Sequence, residues 1–469
     1  MFLLLTGCPD PIRNPAACHD GICIDPSLPF CDKDGTVFGQ ENTCVAIGCT
    51  PGDLQQCRGD QALTCNATGD NLEVVQCERG CDPGSGCRLC NPNETACTNG
   101  MLATCDASGA VVLAEPCALG CFEDKPRCRA VVPSNNLERF LDMVPDPPDL
   151  DLDGVTFDTR DGSVRKGATT IAVPNFLTVS EPGVPSIRVF VAKSIKLRGA
   201  SSADSGDERS SVGPAIALLA RGPIEISGTL TVTPRAGSAV TESDGCIAGI
   251  GTVFHDPLSR LVAAGGGGGG HATAGADGGA VDDSADFFDA AGGRKGVVTG
   301  ASSLVPLRGG CTGGFFGSTP DEQYRSGGGA IQLTSGVSIT VTGVIDVRGH
   351  DGFVGSFDGQ NGTVVGGGGG GGGALLEAPS VILTGGRVLA TGGAGGSACV
   401  SPTASCGVGG MGATRNTGAT PGMGTTYSAA PLMNAGGGGG GLGRVRINSV
   451  TFHGGEVDAA VSNGPLATH

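Results

Sequence analysis

The sequence predicts an all-β protein: small disulfide-rich β modules at the N-terminus, then a right-handed parallel β-helix with glycine-rich inserts. Three observations carry that expectation. Of the 21 cysteines, one stands apart and 20 fall into even groups along the chain. A six-cysteine segment is duplicated. Short apolar runs of period two recur after residue 155, in a chain with 86 glycines, no Trp and two Tyr.

At 469 residues the chain has room for two or three domains. The shortage of aromatics argues for a thin, repetitive core of Val, Ile, Leu and Ala. The formal net charge of −17 argues against nucleic acid and anionic membrane surfaces as partners, since both need basic patches. No apolar stretch reaches the roughly 20 residues of a membrane-spanning helix.

Residues 1–17 read as a lipoprotein signal remnant and tether. Leu5-Thr6-Gly7-Cys8 fits the lipobox, an apolar residue and two small ones before the cysteine that receives the lipid. The apolar run Met1-Phe2-Leu3-Leu4-Leu5 has no basic residue before it and falls short of the about 7–15 apolar residues of a signal peptide. A true start upstream, or trimming, reconciles the two. The expected address is extracytoplasmic, an outer membrane or cell surface reached through a lipid on Cys8. Abundant paired cysteines fit an oxidising compartment.

Residues 18–48 form a short module with Cys18, Cys23, Cys31 and Cys44. Residues 49–89 hold Cys49, Cys57, Cys65, Cys77, Cys81 and Cys87. Residues 90–129 repeat the pattern with Cys90, Cys97, Cys105, Cys117, Cys121 and Cys128. Steps of 8, 8, 12, 4, 6 in one and 7, 8, 12, 4, 7 in the other mark a duplication with a period of about 41 residues. "LTCNATGDNLEVVQC" and "LATCDASGAVVLAEPC" both read as strand, tight turn, strand. Modules this small bury little apolar surface, and disulfides would stabilise them by about 2–4 kcal/mol each. The spacing does not choose among the pairings. Zinc on Cys87-Arg88-Leu89-Cys90 is the rival reading, weakened because that motif straddles two modules.

Residues 130–154 read as a short helix and an acidic linker. Ser/Asn caps precede Leu137, Phe140, Leu141 and Val144, an amphipathic spacing. Asp149, Asp151, Asp153 and Gly154 imitate the start of a calcium loop, but Arg160 stands where the loop's Glu belongs. An edge strand is the preferred reading.

Residues 155–469 carry the second repeat. Ile216-x-Leu218, Ile224-x-Ile226, Gly228, Leu230-x-Val232 matches Ile331-x-Leu333, Ile339-x-Val341, Gly343, Ile345-x-Val347 step for step. Two shorter copies start at Leu376 and Val445, and a partial one reads Val189-x-Val191, Ile195-x-Leu197. Three short strands per copy suit one turn of a parallel β-helix, with alternate residues inward and turns about 4.8 Å apart. Between copies lie inserts with glycine tracts at 265–270, 366–373 and 436–441, each expected either to pack closely against the others or to stay mobile. Cys399 with Cys406, and Cys246 with Cys311, are positioned to pin two inserts.

Lipobox, duplicated six-cysteine modules and glycine-tract strands together resemble a group of uncharacterised surface lipoproteins of myxobacterial type. The resemblance implies the address more than an activity.

No GxSxG, HExxH or phosphate loop is present, and no two of the six histidines have metal-ligand spacing. Asp282, Asp283, Asp286 and Asp289 form an acidic cluster, a weak Ca²⁺ candidate in an insert. Two functions follow as expectations. One is a non-enzymatic surface lipoprotein, structural or adhesive, presenting an elongated β-helix to an extracellular surface, glycan or matrix component. The other is a carbohydrate-active enzyme, lyase or glycoside hydrolase, or a carbohydrate-binding protein on the same solenoid. The enzyme calls for a cleft with two carboxylates about 5–10 Å apart on a strand face.

Overall fold

The computed structural model describes residues 17–468 apart from 19–21, 29, 34–40, 46–51, 68–71, 85, 89–90, 92, 99, 108–110, 118, 121–126, 145, 172–175, 181–185, 205–212, 234–246, 284–287, 316–326, 358–361, 399–405 and 428–431. The chain forms two compact units, Met1–Arg129 and Ala130–His469. Regular structure is nearly all β-strand, and the one α-helix among the described residues is Glu138–Met143. No helix among these residues is long and apolar enough to cross a membrane.

The first unit consists of small antiparallel sheets. Phe30–Asp32 pairs with Thr43–Val45. The duplicated modules each build three strands: Leu54–Arg58, Gln61–Cys65 and Leu72–Gln76 in one, Thr95–Thr98, Met101–Cys105 and Val111–Pro116 in the other. Gly59 and Gly100, both at positive φ, make the tight turns between first and second strands. Among the described residues the apolar cluster of the second module is small, Ala96, Ala103 and Cys105, so covalent bridges must supply what burial cannot. Cys18–Cys31, Cys23–Cys44, Cys57–Cys81, Cys77–Cys87 and Cys117–Cys128 are disulfides. Cys77–Cys87 and Cys117–Cys128 join the fourth and sixth cysteines of their modules, so this bridge is common to both copies.

The second unit contains three parallel ladders whose rungs follow the sequence repeats. The first stacks Ile187–Ala192, Ala215–Ala220, Ala330–Ser335 and the leading halves of Gly373–Ile382 and Arg444–His453. The second stacks Leu150–Asp153, Ile195–Arg198, Ile224–Ile226, Ser338–Val341 and the trailing halves of the same two long strands. The third stacks Thr156–Asp158, Ala200–Asp204, Thr229–Val232, Val344–Asp346, Arg387–Leu389 and Glu456–Asp458. Like residues meet in register: Ile224 beside Ile339 beside Val381, Leu230 beside Ile345 beside Val388. All six are fully buried in one continuous core. Antiparallel strands flank the early rungs: Val164–Lys166 beside Thr156–Asp158, and Phe176–Val179 beside Ile187–Ala192.

The edge-strand reading of the acidic stretch holds: Leu150–Asp153 is the edge strand of the second ladder, with Leu150 and Leu152 buried and Asp151 and Asp153 paired to Arg198 and Lys166. One sequence expectation is corrected. The partial copy at Val189 is out of step by one residue. Phe190, not Val191, aligns with Leu218 and faces the main core. Val189 and Val191 face a second core on the other side of the first ladder, with Leu137, Phe140, Val144, Leu304 and Leu307. A strand buried on both faces is apolar throughout, and its period-two signal disappears.

The glycine tracts are ordered. Gly265 to Gly269 donate in turn to the carbonyls of Gly279, Val365, Gly249, Ala276 and Gly368, and residues three apart donate to the same neighbouring segment. That threefold periodicity, with bonds leaving the segment in three directions, is the signature of a polyproline-II-like helix. Tract 265–270 donates to the second tract through Gly269, and through Gly266 to Val365 just before it. The second tract donates to 436–441 through Gly368 and Gly371, and the third returns to the first through Gly438 and Gly441. This closed triangle is surrounded by further segments of the same kind, among them 275–279, 292–297, 310–314, 349–353, 392–396, 407–413 and 420–423.

Glycine is required there for space. None of the three tracts has a residue at positive φ. A Cβ on Gly268 would lie 1.9 Å from the carbonyl oxygen of Gly439, one on Gly367 1.9 Å from that of Gly267, and one on Gly440 1.9 Å from that of Gly369. The hydrogen in place of each side chain points at a carbonyl instead, a contact contributing about 0.5–1 kcal/mol. Residues 366–372 and 436–443 run directly into rungs of the first ladder, while 347–353 and 390–396 leave from the third. The uneven spacing of the repeats is therefore an excursion through the bundle and back.

Candidate functional site

At the seam between third ladder and glycine bundle lies an open cleft of about 370 Å³, lined by Thr231, Thr233, Asp346, Arg348, His350, Asp351 and Thr391 among others. The ladder aligns its first pair. Thr231 and Asp346 are neighbours on adjacent rungs, and each sits at an outward position because the residues before it, Leu230 and Ile345, point into the core. Arg348, His350 and Asp351 follow as the chain enters the outer glycine segment at 349–353. Thr391 opens the next segment, whose carbonyl accepts from Gly349 N.

The polar groups are held in fixed roles. Arg348 Nε donates to Asp346 Oδ1 at 2.9 Å and its Nη2 to Oδ2 at 2.6 Å. That bonding, with the charges of Asp346 and Asp351, holds the guanidinium more firmly protonated than usual. Asp351 Oδ1 accepts from Ala394 N at 2.7 Å. Thr233 donates to Asp204 at 2.9 Å. What remains unpaired among the described residues is the Thr231 and Thr391 hydroxyls, Asp351 Oδ2 and Arg348 Nη1. The sequence held one signal for this place: Thr231 and Asp346 are the outward residues of the same step in consecutive copies. The other members were hidden because a glycine-rich insert gives no hint of where it docks.

The residues singled out from sequence lie elsewhere. Cys8, Cys49, Cys90, Cys121, Cys246, Cys399 and Asp286 fall outside the described residues. Cys65, Cys97, Cys105, Cys311 and Cys406 are disulfide-bonded. Cys87 is bonded to Cys77, which removes the zinc reading of its CxxC. Cys18, Cys23 and Cys44 bring their sulfurs together, but as members of two disulfides rather than as thiolates. Asp282 ends the short strand Val281–Asp282 and is exposed, and the backbone N–H of Asp283 donates to Asp289 Oδ1 at 2.6 Å.

Three other polar clusters are built into the unit. Glu377, 1% exposed, accepts from Ser134 Oγ, Gln332 Nε2, Thr334 Oγ1 and Asn448 Nδ2 at 2.6–3.1 Å. Asn135 extends this network to Gln332 and Leu304, so the residues expected to cap the helix instead clasp the segment before it onto the first ladder. Asp256 is buried; burial pushes its pKa up, but hydrogen bonds from Arg260 and the Tyr427 hydroxyl outweigh this and hold it at about 2. His271 is fully buried against Gly300, with the backbone of Arg308 and Gly372 facing its ring. Burial first, and the Arg444 charge second, lower its pKa to about 4.

The site and scaffold define a class: a disulfide-stapled module region joined to parallel β ladders that carry a backbone-built glycine-helix bundle. No protein-family model, curated protein or solved structure matches the chain.

Proposed function

We propose that this chain is a non-enzymatic surface lipoprotein, structural or adhesive, anchored through Cys8 outside the cytoplasm, with its three ladders wound as a right-handed parallel β-helix. The observation that carries the reading is the glycine bundle. Its centre has no side chains and is fixed by backbone hydrogen bonds in every direction. Side chains begin on the outer segments, and several of these reach solvent: Arg294, Lys295, Val297 and Val298 on one, Met411 and Met423 on two adjacent others. A rigid lattice that displays residues at set intervals serves binding, because the displayed groups lose little freedom on contact. Fatty-acid labelling of cells should tag the wild type and spare Cys8→Ser. The labelled protein should hold cells to an extracellular matrix or glycan surface, and loss of that adhesion in a deletion strain should be restored by the intact gene. Equal labelling of both forms, or unchanged adhesion on deletion, contradicts the reading.

The cleft favours a second reading, a carbohydrate-active enzyme, because Asp346 and Asp351 both line it. Release of reducing sugar that Asp351→Asn abolishes would establish that alternative.

A further inference from the structure

We infer that the cleft at Thr231, Asp346, Arg348, Asp351 and Thr391 is a binding site for the vicinal diol of an uncharged sugar. The inference rests on the adhesive reading and names its ligand class. Three features support it. First, the charges nearly cancel: Arg348 and Asp346 neutralise each other in a fixed pair, and of the carboxylates and the guanidinium that line the cleft with His350, Asp351, itself bonded to Ala394 N, is left over. An anionic sugar acid would meet that carboxylate without a free cation to oppose it.

Second, the unpaired groups alternate in kind. Arg348 Nη1 only donates, Asp351 Oδ2 only accepts, and the Thr231 and Thr391 hydroxyls do either. Two adjacent sugar hydroxyls, each a donor and an acceptor, match such a set. Charge-assisted bonds to a fixed guanidinium and carboxylate are the strong ones available to a neutral polyol.

Third, the groups are held before any ligand arrives. Asp346 and Thr231 stand on hydrogen-bonded rungs, and Arg348 is pinned by its own carboxylate partner. The segments bearing Asp351 and Thr391 are bonded to each other through Gly349 N and Gly352 N. Ordering costs on binding are correspondingly small.

The test is affinity electrophoresis of the full chain through gels containing dextran, mannan, galactan, alginate or chitosan, with Arg348→Met, Thr391→Val and the remote Arg165→Met. The inference expects retardation by at least one neutral polymer, relieved by its free monosaccharide. Arg348→Met should weaken it about tenfold or more, Thr391→Val should weaken it less, and Arg165→Met should leave it unchanged, all at an unaltered melting temperature. Should Arg348→Met prove unstable, Thr391→Val alone decides. Retardation by alginate or chitosan only, by no polymer, or equally for wild type and Thr391→Val, overturns the diol site. Cell-surface adhesion that persists in Thr391→Val and Arg348→Met would leave the adhesive reading standing while removing the cleft from it.

Discussion

The ladders and the glycine bundle of the second unit reach order by opposite means. In the ladders, backbone hydrogen bonds run along one direction and a side-chain core fills the interior: Ile224, Ile339, Val381 and their neighbours are fully buried. In the bundle, hydrogen bonds leave each segment in three directions and the interior contains backbone alone. A ladder thus tolerates any inward residue that is apolar and of suitable size. The central tracts of the bundle tolerate only hydrogen. Glycine loses more freedom on ordering than any other residue, and the lattice offsets this by satisfying every direction of the peptide at once.

The largest effect should come from placing a charge in the ladder core. Ile339→Asp buries an unpaired carboxylate where Ile339 now sits in the apolar core, and the chain should fail to fold as judged by circular dichroism and proteolysis. Ser338→Asp, one residue away and half-buried on the outward side, should keep its fold. Similar behaviour of the two would refute the assignment of faces.

Next in size is the methyl group that a ladder would accept and the bundle should not. Gly268→Ala brings Cβ to 1.9 Å from a carbonyl oxygen. It should cost at least the about 1–3 kcal/mol of ordinary overpacking, seen as a lowered urea midpoint. Gly418→Ala, where a Cβ meets nothing within 4 Å, should change the midpoint little. Equal midpoints for the two variants would mean that the tract is not packed.

A smaller effect separates the regions by pH. His271 adjoins the end of the first tract, and its folded pKa of about 4 lies below the usual value of 6.5. Unfolding therefore takes up a proton between those values. Stability should rise with pH through that window, by up to about 1.4 kcal/mol per unit, and the contribution is lost as pH falls. In His271→Gln the proton uptake on urea unfolding at pH 5 should fall by about one; an unchanged uptake would show that the ring is not held neutral.

Much of the ladder architecture was legible because period-two runs with one buried face announce themselves. Ile216-x-Leu218 and Ile331-x-Leu333 fall on paired rungs as their matching steps imply. The failure at Val189 has a physical cause: Ile187–Ala192 is buried on both faces, so alternation gave no register. Leu137, Phe140 and Val144 showed an apolar helical stripe but not the sheet face it covers. The glycine tracts were visible as composition, yet packing and mobility remained equally open, because a lattice depends on segments as far apart as Gly266 and Gly438 coming together. The cleft shares that limit: Thr231 and Asp346 were adjacent in the repeat, whereas Asp351 and Thr391 arrive through the bundle.

Amide hydrogen exchange at the tract glycines tests the central claim most directly. The N–H groups of Gly269, Gly368, Gly371, Gly438 and Gly441 donate within the triangle, and that of Gly266 donates to Val365 at its edge. They should exchange as slowly as those of the ladder strands, such as Ile339 and Val381, and open only with global unfolding. Exchange at the rate of an unstructured glycine segment, with the ladder amides still protected, would contradict a backbone-built scaffold.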